Sequence, residues 1–493
     1  MATIATLLSR TVRDVMAPPP PVAKAECDCA GLVSAMNEKA ASCVVIESPD
    51  GAPVGIVTER DIVRRAAFRA EPDAPAGDIM SAPLRVVSED DLLYRAIGAM
   101  RRFGLRHMPV VDASGRLCGI LNLRDALADA AAPTVALIDR LTHDATTEGL
   151  AAVKGAEVEL AADMLVDGLP AHDIQRLISH VNRDIHRRVV ERVQAAMVED
   201  GLGPAPVPFC FVIMGSGGRD ESYLYPDQDN GIIIADYPDD RHIEIDPWFI
   251  ELAGRVTHEL DAVGFQFCKG GVMATNPVWR KTLSQWKEQT TIWARRRSVT
   301  AVRLADIFFD FQYVAGEAPL AAALRRHVTA LMRGNVTFLR EIHHDQAAYG
   351  TALGLFGRLR TIAPDMPFPR QVDLKRGGLL PLVNAVRILA LRDGVAATPT
   401  LARIAVLREI GTLDADEAEE LSAAFHHISA LLLTRQVACF SAGQPVGNAI
   451  PPGSLGRRDK RLLVDGLRAI ERLRDRVGAE LTGDVFGGDS RIG

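Results

Sequence analysis

Laid against itself at an offset of 64 positions, the first 130 residues repeat. Asp14-Val15-Met16 returns as Asp78-Ile79-Met80, Met36 as Met100, Gly55-Ile56 as Gly119-Ile120 and Arg60-Asp61 as Arg124-Asp125. A fixed internal period means two copies of one supersecondary unit side by side, which restricts the architecture here more than any single motif could. In each copy a lead-in segment ends in the DVM or DIM turn. An amphipathic helix follows, Cys29 to Lys39 in the first copy and Asp91 to Phe103 in the second. Two short apolar runs come next, SCVVIE with VGIVT and HMPVVD with CGILN, each pair split by a turn at Pro49-Asp50-Gly51 or Asp112 to Gly115. Such runs divided by turn residues read as strands, and a second helix closes each unit.

This order of elements, with the strings GIVTERD and GILNLRD, resembles the tandem cystathionine β-synthase (CBS) module over about residues 8–130, with units near 8–68 and 72–130. The resemblance implies a βαβ-type pair packed as a disc, with adenine nucleotides (AMP, ADP or ATP) in the clefts between the units. Its G-x-V-T-x-x-D motif gives Thr58 and Asp61 as contacts to ribose and phosphate, and Asn122 and Asp125 in the second unit, where Asn122 departs from the usual Ser or Thr. The residues also admit a plainer role. Thr58 with Asp61, and Asn122 with Asp125, sit at capping spacing, where a side chain satisfies the first amides of a helix. The two roles are compatible.

At 493 residues the chain exceeds a single core, and a hydrophobic share of 48% with 24% charged residues fits a folded globular protein. A net charge of -7 offers no broad basic surface for a phosphate backbone, so nucleic acid is not expected as a partner. The seven cysteines are scattered without C-x-x-C spacing and read as reduced thiols. Arg10, Arg13 and Asp14 interrupt the start before a signal peptide could form, and no run of about 18 apolar residues suggests a membrane span. The expected location is the cytoplasm.

Residues 131–200 carry helical spacing, as in Leu177, Ile178, Val181, Ile185, Val189 and Val193, and are expected to form a helical connector that is either a passive spacer or a coupling rod. Beyond it, VPFCFVIMGSGGRDESYLYPDQDNGIIIAD concentrates the chemistry. Phe209 to Met214 reads as a buried strand, and Gly215-Ser216-Gly217-Gly218 lets backbone amides and a hydroxyl approach a phosphate closely. Asp227-Gln228-Asp229 then leads into a second strand, Gly231 to Ala235. Residues two apart in extended chain face one side, so Asp227 and Asp229 are expected to project together as a hard oxygen site for Mg²⁺. A plain hairpin with solvated aspartates is the alternative.

The G-S-x10-D-x-D arrangement resembles the nucleotidyltransferases of the DNA polymerase β superfamily, and more narrowly the PII uridylyltransferase and the glutamine synthetase adenylyltransferase. The string DLKRGGLLPLVNAVRILAL (Asp373 to Leu391) is similar to the segment that follows the catalytic domain in the former. With CKGGVMATNPVWRKTLSQW, these strings resemble a bacterial family in which a CBS pair precedes a nucleotidyltransferase. The resemblance implies a nucleoside triphosphate donor and an acceptor hydroxyl, possibly on a protein. It also implies a homodimer. Gly215, Ser216 and Arg219 would grip phosphates, joined by Lys375 and Arg376, although Gly377-Gly378 before an apolar helix is equally an ordinary helix start. The family adds a third carboxylate on a neighbouring strand. Around GFQFCKGG there is only Gln266 and Cys268, so Asp310 is the substitute candidate.

The overall expectation is an α+β multidomain chain: the CBS module, the connector at 131–200, a polymerase-β-like mixed sheet at 201–317 and a C-terminal helical bundle at 318–485. The bundle's helices are expected at Leu320 to Phe338, Ala347 to Leu359, Leu379 to Leu391 and Glu417 to Leu433. His343-His344-Asp345 reads as a solvated cluster rather than a metal site, and Arg295-Arg296-Arg297 as an exposed helix face.

Overall fold

The computed structural model describes residues 10–63, 74–127, 146–296, 299–347, 350–354 and 357–486. The chain divides into two compact units, Met1–Asp144 and Ala145–Gly493.

The first unit contains two copies of one three-stranded sheet. Strands β1 (Val22–Lys24), β2 (Cys43–Glu47) and β3 (Pro53–Thr58) lie in that order, and β4 (Val87–Ser88), β5 (His107–Val111) and β6 (Leu117–Asn122) repeat it. In each, the first pair is parallel and the second antiparallel. The helix Cys29–Glu38 makes the parallel crossover, started by Asp28, whose side chain accepts from the Gly31 amide at 2.8 Å. Its face buries Leu32 and Met36 on Val44, Ile46 and Val57.

The lead-in segments are exchanged between the copies. Ala17 bridges Ile120 in the second sheet, while Ser81 bridges Ile56 in the first. Ile79 accordingly belongs to the core of the first sheet. The repeated Gly-Ile motif follows from this exchange. A Cβ on Gly119 would lie 2.7 Å from Met16 Sδ and 2.9 Å from the Ala17 carbonyl, and one on Gly55 would lie 2.3 Å from Met80 Sδ. Each glycine is the seat for the other copy's methionine.

The second unit is built on a four-stranded sheet in the order β10-β7-β8-β9, with β7 Phe209–Ile213, β8 Asn230–Ile234, β9 Arg280–Thr282 and β10 Gln312–Gly316. Strand β7 is antiparallel to both neighbours, and β8 runs parallel to β9. The expected strands agree with β7 and β8 to within a residue.

The expected connector is not a separate element. Its first part, 131–145, lies outside the described residues. The helices Thr147–Val166 and Ala171–Glu199 pack into the second unit, the latter against β10, and bury Leu177, Ile178, Val181, Ile185, Val189 and Val193. The apolar spacing was therefore a core face.

One hydrophobic core runs from Val212 and Trp279 through Leu382 and Phe425 to Leu481, so the sheet and the C-terminal helices share an interior. Those helices are Ala318–Met332, Val336–Ala347, Leu380–Arg392, Thr400–Glu409, Ala415–Ser441 and Arg457–Phe486. The expected helix Leu320 to Phe338 is divided at Gly334, which holds φ +69°. Of the expected helix Ala347 to Leu359, Ala347 instead ends the helix Val336–Ala347, residues 350–354 are not helical, and Leu353 and Leu359 form an isolated bridge. His343 rests against Gly478, and Asp345 pairs with Arg303 at 3.2 Å. Arg297 lies outside the described residues.

Gly119→Val must displace a backbone carbonyl as well as a thioether. Denaturant unfolding of the CBS unit is expected to show a loss of about 1–3 kcal/mol. An unchanged midpoint would contradict the exchanged packing.

Candidate active site

The glycine turn after β7 is a single helical turn, Gly215–Gly218, whose shape is set by close approaches. Gly215 holds φ +60°, and a Cβ there would lie 2.8 Å from Asp229 Oδ2. At Gly218 a Cβ would fall 1.6 Å from the Asp310 carbonyl oxygen, which no side chain could tolerate. The Met214 amide donates to the Asp229 carbonyl at 2.8 Å, fixing the turn against the aspartate segment.

That segment alternates. Gln228 and Asn230 are fully buried, whereas Asp227 is exposed and Asp229 half-buried. The inward residues are anchors. Gln228 Nε2 donates to the carbonyls of Thr257 (3.0 Å) and Phe265 (2.8 Å), and Asn230 Oδ1 accepts from the Ala274 amide at 2.9 Å. With these two amides locked, Asp227 and Asp229 both face one cleft, which Ser216, Gly217 and Lys375 also line. Sequence reasoning passed over Gln228 and Asn230, although their period of two was the signal.

Burial, and then repulsion from Asp227, raise the Asp229 carboxyl to about 6, opposed by a hydrogen bond from the Cys268 thiol and by the Lys375 and Arg219 charges. Lys375 is half-buried and forms no salt bridge among the described residues, and burial depresses its ammonium. Two acids short of counter-charge beside one unpaired cation fit a divalent ion with a polyphosphate. Mg²⁺ takes one or two carboxylates and leaves its other positions to water and phosphate.

Three expected site residues are placed otherwise. Asp310 has no solvent-exposed surface. It accepts from Arg219 (2.9 Å), Arg387 (2.6 Å) and Arg403 (2.7 Å), which hold it well below the usual carboxylate range, so it has no room for a metal. Arg219 is buried, spanning Asp310 and Glu221 (2.7 Å); its guanidinium is a strut rather than a free phosphate contact. Arg376 is exposed and does not line the cleft, while its amide donates to Asp373 Oδ1. Lys375–Leu379 forms a π-helical turn in which Gly377 and Gly378 seat Ala352 and Ile428, so these glycines serve packing.

The missing third acid has a structural counterpart. GFQFCKGG forms no strand. The strand beside β8 is β9, which carries Arg280, Lys281 and Thr282, and Arg280 is buried against the Ala274 carbonyl at 2.8 Å. Among the described residues no three His, Cys, Asp or Glu side chains converge as metal ligands.

In the first unit, Thr58 and Asp61 form the capping box: Thr58 Oγ1 accepts from the Asp61 amide at 3.3 Å, and Asp61 Oδ2 accepts from the Thr58 amide at 3.0 Å. The same pair lines a cleft with Ser42, Arg106 and His107, contributed by both copies. Asn122 donates to Asp125 Oδ2 at 3.0 Å, and neither lines that cleft.

The family described as "Putative nucleotidyltransferase DUF294" matches residues 157–299, its "Putative nucleotidyltransferase substrate binding domain" matches 336–481, and the CBS domain matches 12–67 and 76–131. The chain is a CBS-containing member of the DUF294 nucleotidyltransferase family. The DUF294 match begins inside the helix Thr147–Val166, in keeping with the packing of both connector helices into the second unit.

Two similar sequences are an uncharacterised protein of Methanopyrus kandleri (39% identical over 94 residues, 19% of this chain and 48% of that one) and one of Acidianus ambivalens (40% over 84 residues, 17% and 50%). The DUF294 chain thus spans about half the length of these curated relatives. Inosine-5'-monophosphate dehydrogenase of Mycobacterium bovis is 28% identical over 34% of this chain and 36% of its own. Among solved structures, a CBS domain protein of Pyrobaculum aerophilum complexed with AMP is 26% identical, covering 26% of this chain and 98% of its own at a TM-score of 0.24.

The raised Asp229 value has a definite sign. Without cation, its contribution to stability is present below the ordinary carboxylate value near 3.9 and is lost as pH rises through about 6. Asp229→Asn removes that cost. Metal-free thermal unfolding is expected to show a gain on the order of 1–3 kcal/mol that grows between about pH 4 and 6 and is level above about pH 7. A destabilised variant at high pH would contradict the assignment.

Proposed function

We propose that this DUF294 protein transfers a nucleoside monophosphate from a nucleoside triphosphate to an acceptor hydroxyl, with adenine nucleotides at the CBS pair regulating the reaction. One observation carries the reading: Asp227 and Asp229 face the cleft that Ser216 and Lys375 line, and among the described residues neither acid forms a salt bridge with an arginine. Asp227 and Asp229 hold Mg²⁺, which when bound neutralises charge on the reacting phosphate. The Ser216 hydroxyl and the amides of the glycine turn donate to phosphate oxygens, and Lys375 supplies the balancing cation. The buried anchors Gln228 and Asn230 keep the two acids in place, so little reorganisation is needed when the triphosphate arrives.

The acceptor is a hydroxyl on a protein, with tyrosine as one candidate, and the C-terminal helices present it. The matching family's description as a substrate-binding domain supports that role for residues 336–481. AMP, ADP or ATP occupies the cleft at Thr58 and Asp61, where a ligand would touch both CBS copies at once. The protein acts in the cytoplasm as a homodimer, without nucleic-acid or membrane partners. No helix among the described residues is long and apolar enough to cross a membrane.

A second reading has its own support. Because Asp310 is consumed by arginines and β9 offers cations, no acid stands ready to take the acceptor's proton. The domain would then bind nucleotide as a regulator without turnover.

Incubating the full chain with labelled nucleoside triphosphates, Mg²⁺ and cell extract separates the two. Transfer that falls by at least about a hundredfold in Asp227→Asn and in Asp229→Asn supports the enzyme. Triphosphate binding with neither label transfer nor pyrophosphate release supports the regulator. AMP titration should show affinity lost by about tenfold or more in Thr58→Val with Asp61→Ala, and unchanged AMP affinity would place the nucleotide elsewhere.

A further inference from the structure

The helix Ala171–Glu199 contributes Asn182 and His186 to the lining of the same cleft, four residues apart and so on one face. Both are almost wholly buried, at 3% and 5% exposure. Their hydrogen-bonding roles are fixed from behind. Lys154 Nζ donates to Glu157 Oε2 (2.6 Å), to Asn182 Oδ1 (3.0 Å) and to the Leu224 carbonyl (3.1 Å), using all three ammonium hydrogens. With its oxygen bound to Lys154, Asn182 has only the Nδ2 amide left, and that nitrogen is buried without a partner. A buried donor left unpaired is unfavourable, so a ligand acceptor that pairs with it is favoured.

His186 is fixed in the complementary sense. Its Nδ1 donates to the Asn182 carbonyl at 2.7 Å, and burial lowers the imidazole to about 4, so the ring is neutral and Nε2 carries a lone pair. Phe265 packs edge-on against the ring, with centroids 4.5 Å apart, and sets its plane. The cleft wall therefore offers one donor beside one acceptor. Tyr225, 45% exposed, adds an aromatic face on the same cleft.

We infer that Asn182 and His186 read the hydrogen-bonding edge of the donor's nucleobase, with Tyr225 available for stacking. Each nucleobase presents an acceptor next to an N–H on that edge, in an order that separates adenine and cytosine (exocyclic amine beside a ring-nitrogen acceptor) from guanine and uracil (exocyclic carbonyl beside a ring N–H), so a fixed donor beside a fixed acceptor on this cleft selects between the two pairs. The inference rests on the proposed triphosphate site at Asp227, Asp229, Ser216 and Lys375. It adds that base selection comes from a helix N-terminal to the sheet rather than from the glycine turn.

The test is calorimetric titration of the full chain, in Mg²⁺, with the four common ribonucleoside triphosphates and with inorganic tripolyphosphate. Wild-type protein is expected to prefer one or two nucleotides by about tenfold or more, and to bind the best of them more tightly than tripolyphosphate. His186→Asn keeps a donor at the Nδ1 position but offers nothing at Nε2. It should lose about tenfold for the preferred nucleotide and little for tripolyphosphate. His186→Gln, whose amide reaches the Nε2 position, should recover most of that loss, a pattern that a merely structural role would not give. Undiminished preference in His186→Asn overturns the inference and leaves the triphosphate site standing. So does wild-type protein that holds all four nucleotides no better than tripolyphosphate, whether or not the variants fold. Wild-type protein that binds neither nucleotide nor tripolyphosphate overturns both.

Discussion

The second unit depends on one fully buried carboxylate. Asp310 takes hydrogen bonds from Arg219, which follows the glycine turn, from Arg387 on Leu380–Arg392 and from Arg403 on Thr400–Glu409. Arg219 is held from its other side by Glu221, which in turn accepts from the Thr400 amide at 2.7 Å. Arg387 also reaches Asp306 and Asn384. One ionic cluster thereby ties the glycine turn to the helices that follow it. A buried charge left without its partners typically costs about 3–5 kcal/mol, so the arginines and the aspartate must assemble together. This interdependence gives the sheet and the C-terminal helices a single core rather than two.

The cluster also explains how the cleft keeps its charge. Arginines that could have neutralised Asp227 and Asp229 are engaged around Asp310, and Lys375 is left as the near cation. The cleft's acids are thus under-compensated while those behind it are over-supplied with donors. That contrast is what the proposed site for a cation and a polyanion needs, whereas the Asp310 cluster holds the fold together.

Much of this was legible in the sequence where local periodicity and sterics decide the outcome. The 64-residue repeat announced the twin sheets, and the alternation around Asp227 and Asp229 announced a shared face. What the repeat could not reveal is that Met16 sits on Gly119 and Met80 on Gly55, because exchange between identical copies leaves the pattern of each unchanged. The apolar stripe from Leu177 to Val193 was visible, yet a stripe does not say what it packs against, and the supposed connector became a wall of the cleft. Asp310 and Arg219 were misassigned for a related reason. A charged residue near a motif looks free in sequence, and only the fold brings Arg387 and Arg403, distant in the chain, onto the same carboxylate.

Diffraction from crystals of the full chain grown with Mn²⁺ and a non-hydrolysable nucleoside triphosphate addresses the central claim most directly. The account predicts an anomalous peak bound by the Asp227 and Asp229 carboxylates, with the triphosphate lying against Ser216 and Lys375. Triphosphate bound elsewhere in the second unit, or bound there with no metal between the two aspartates, would contradict it.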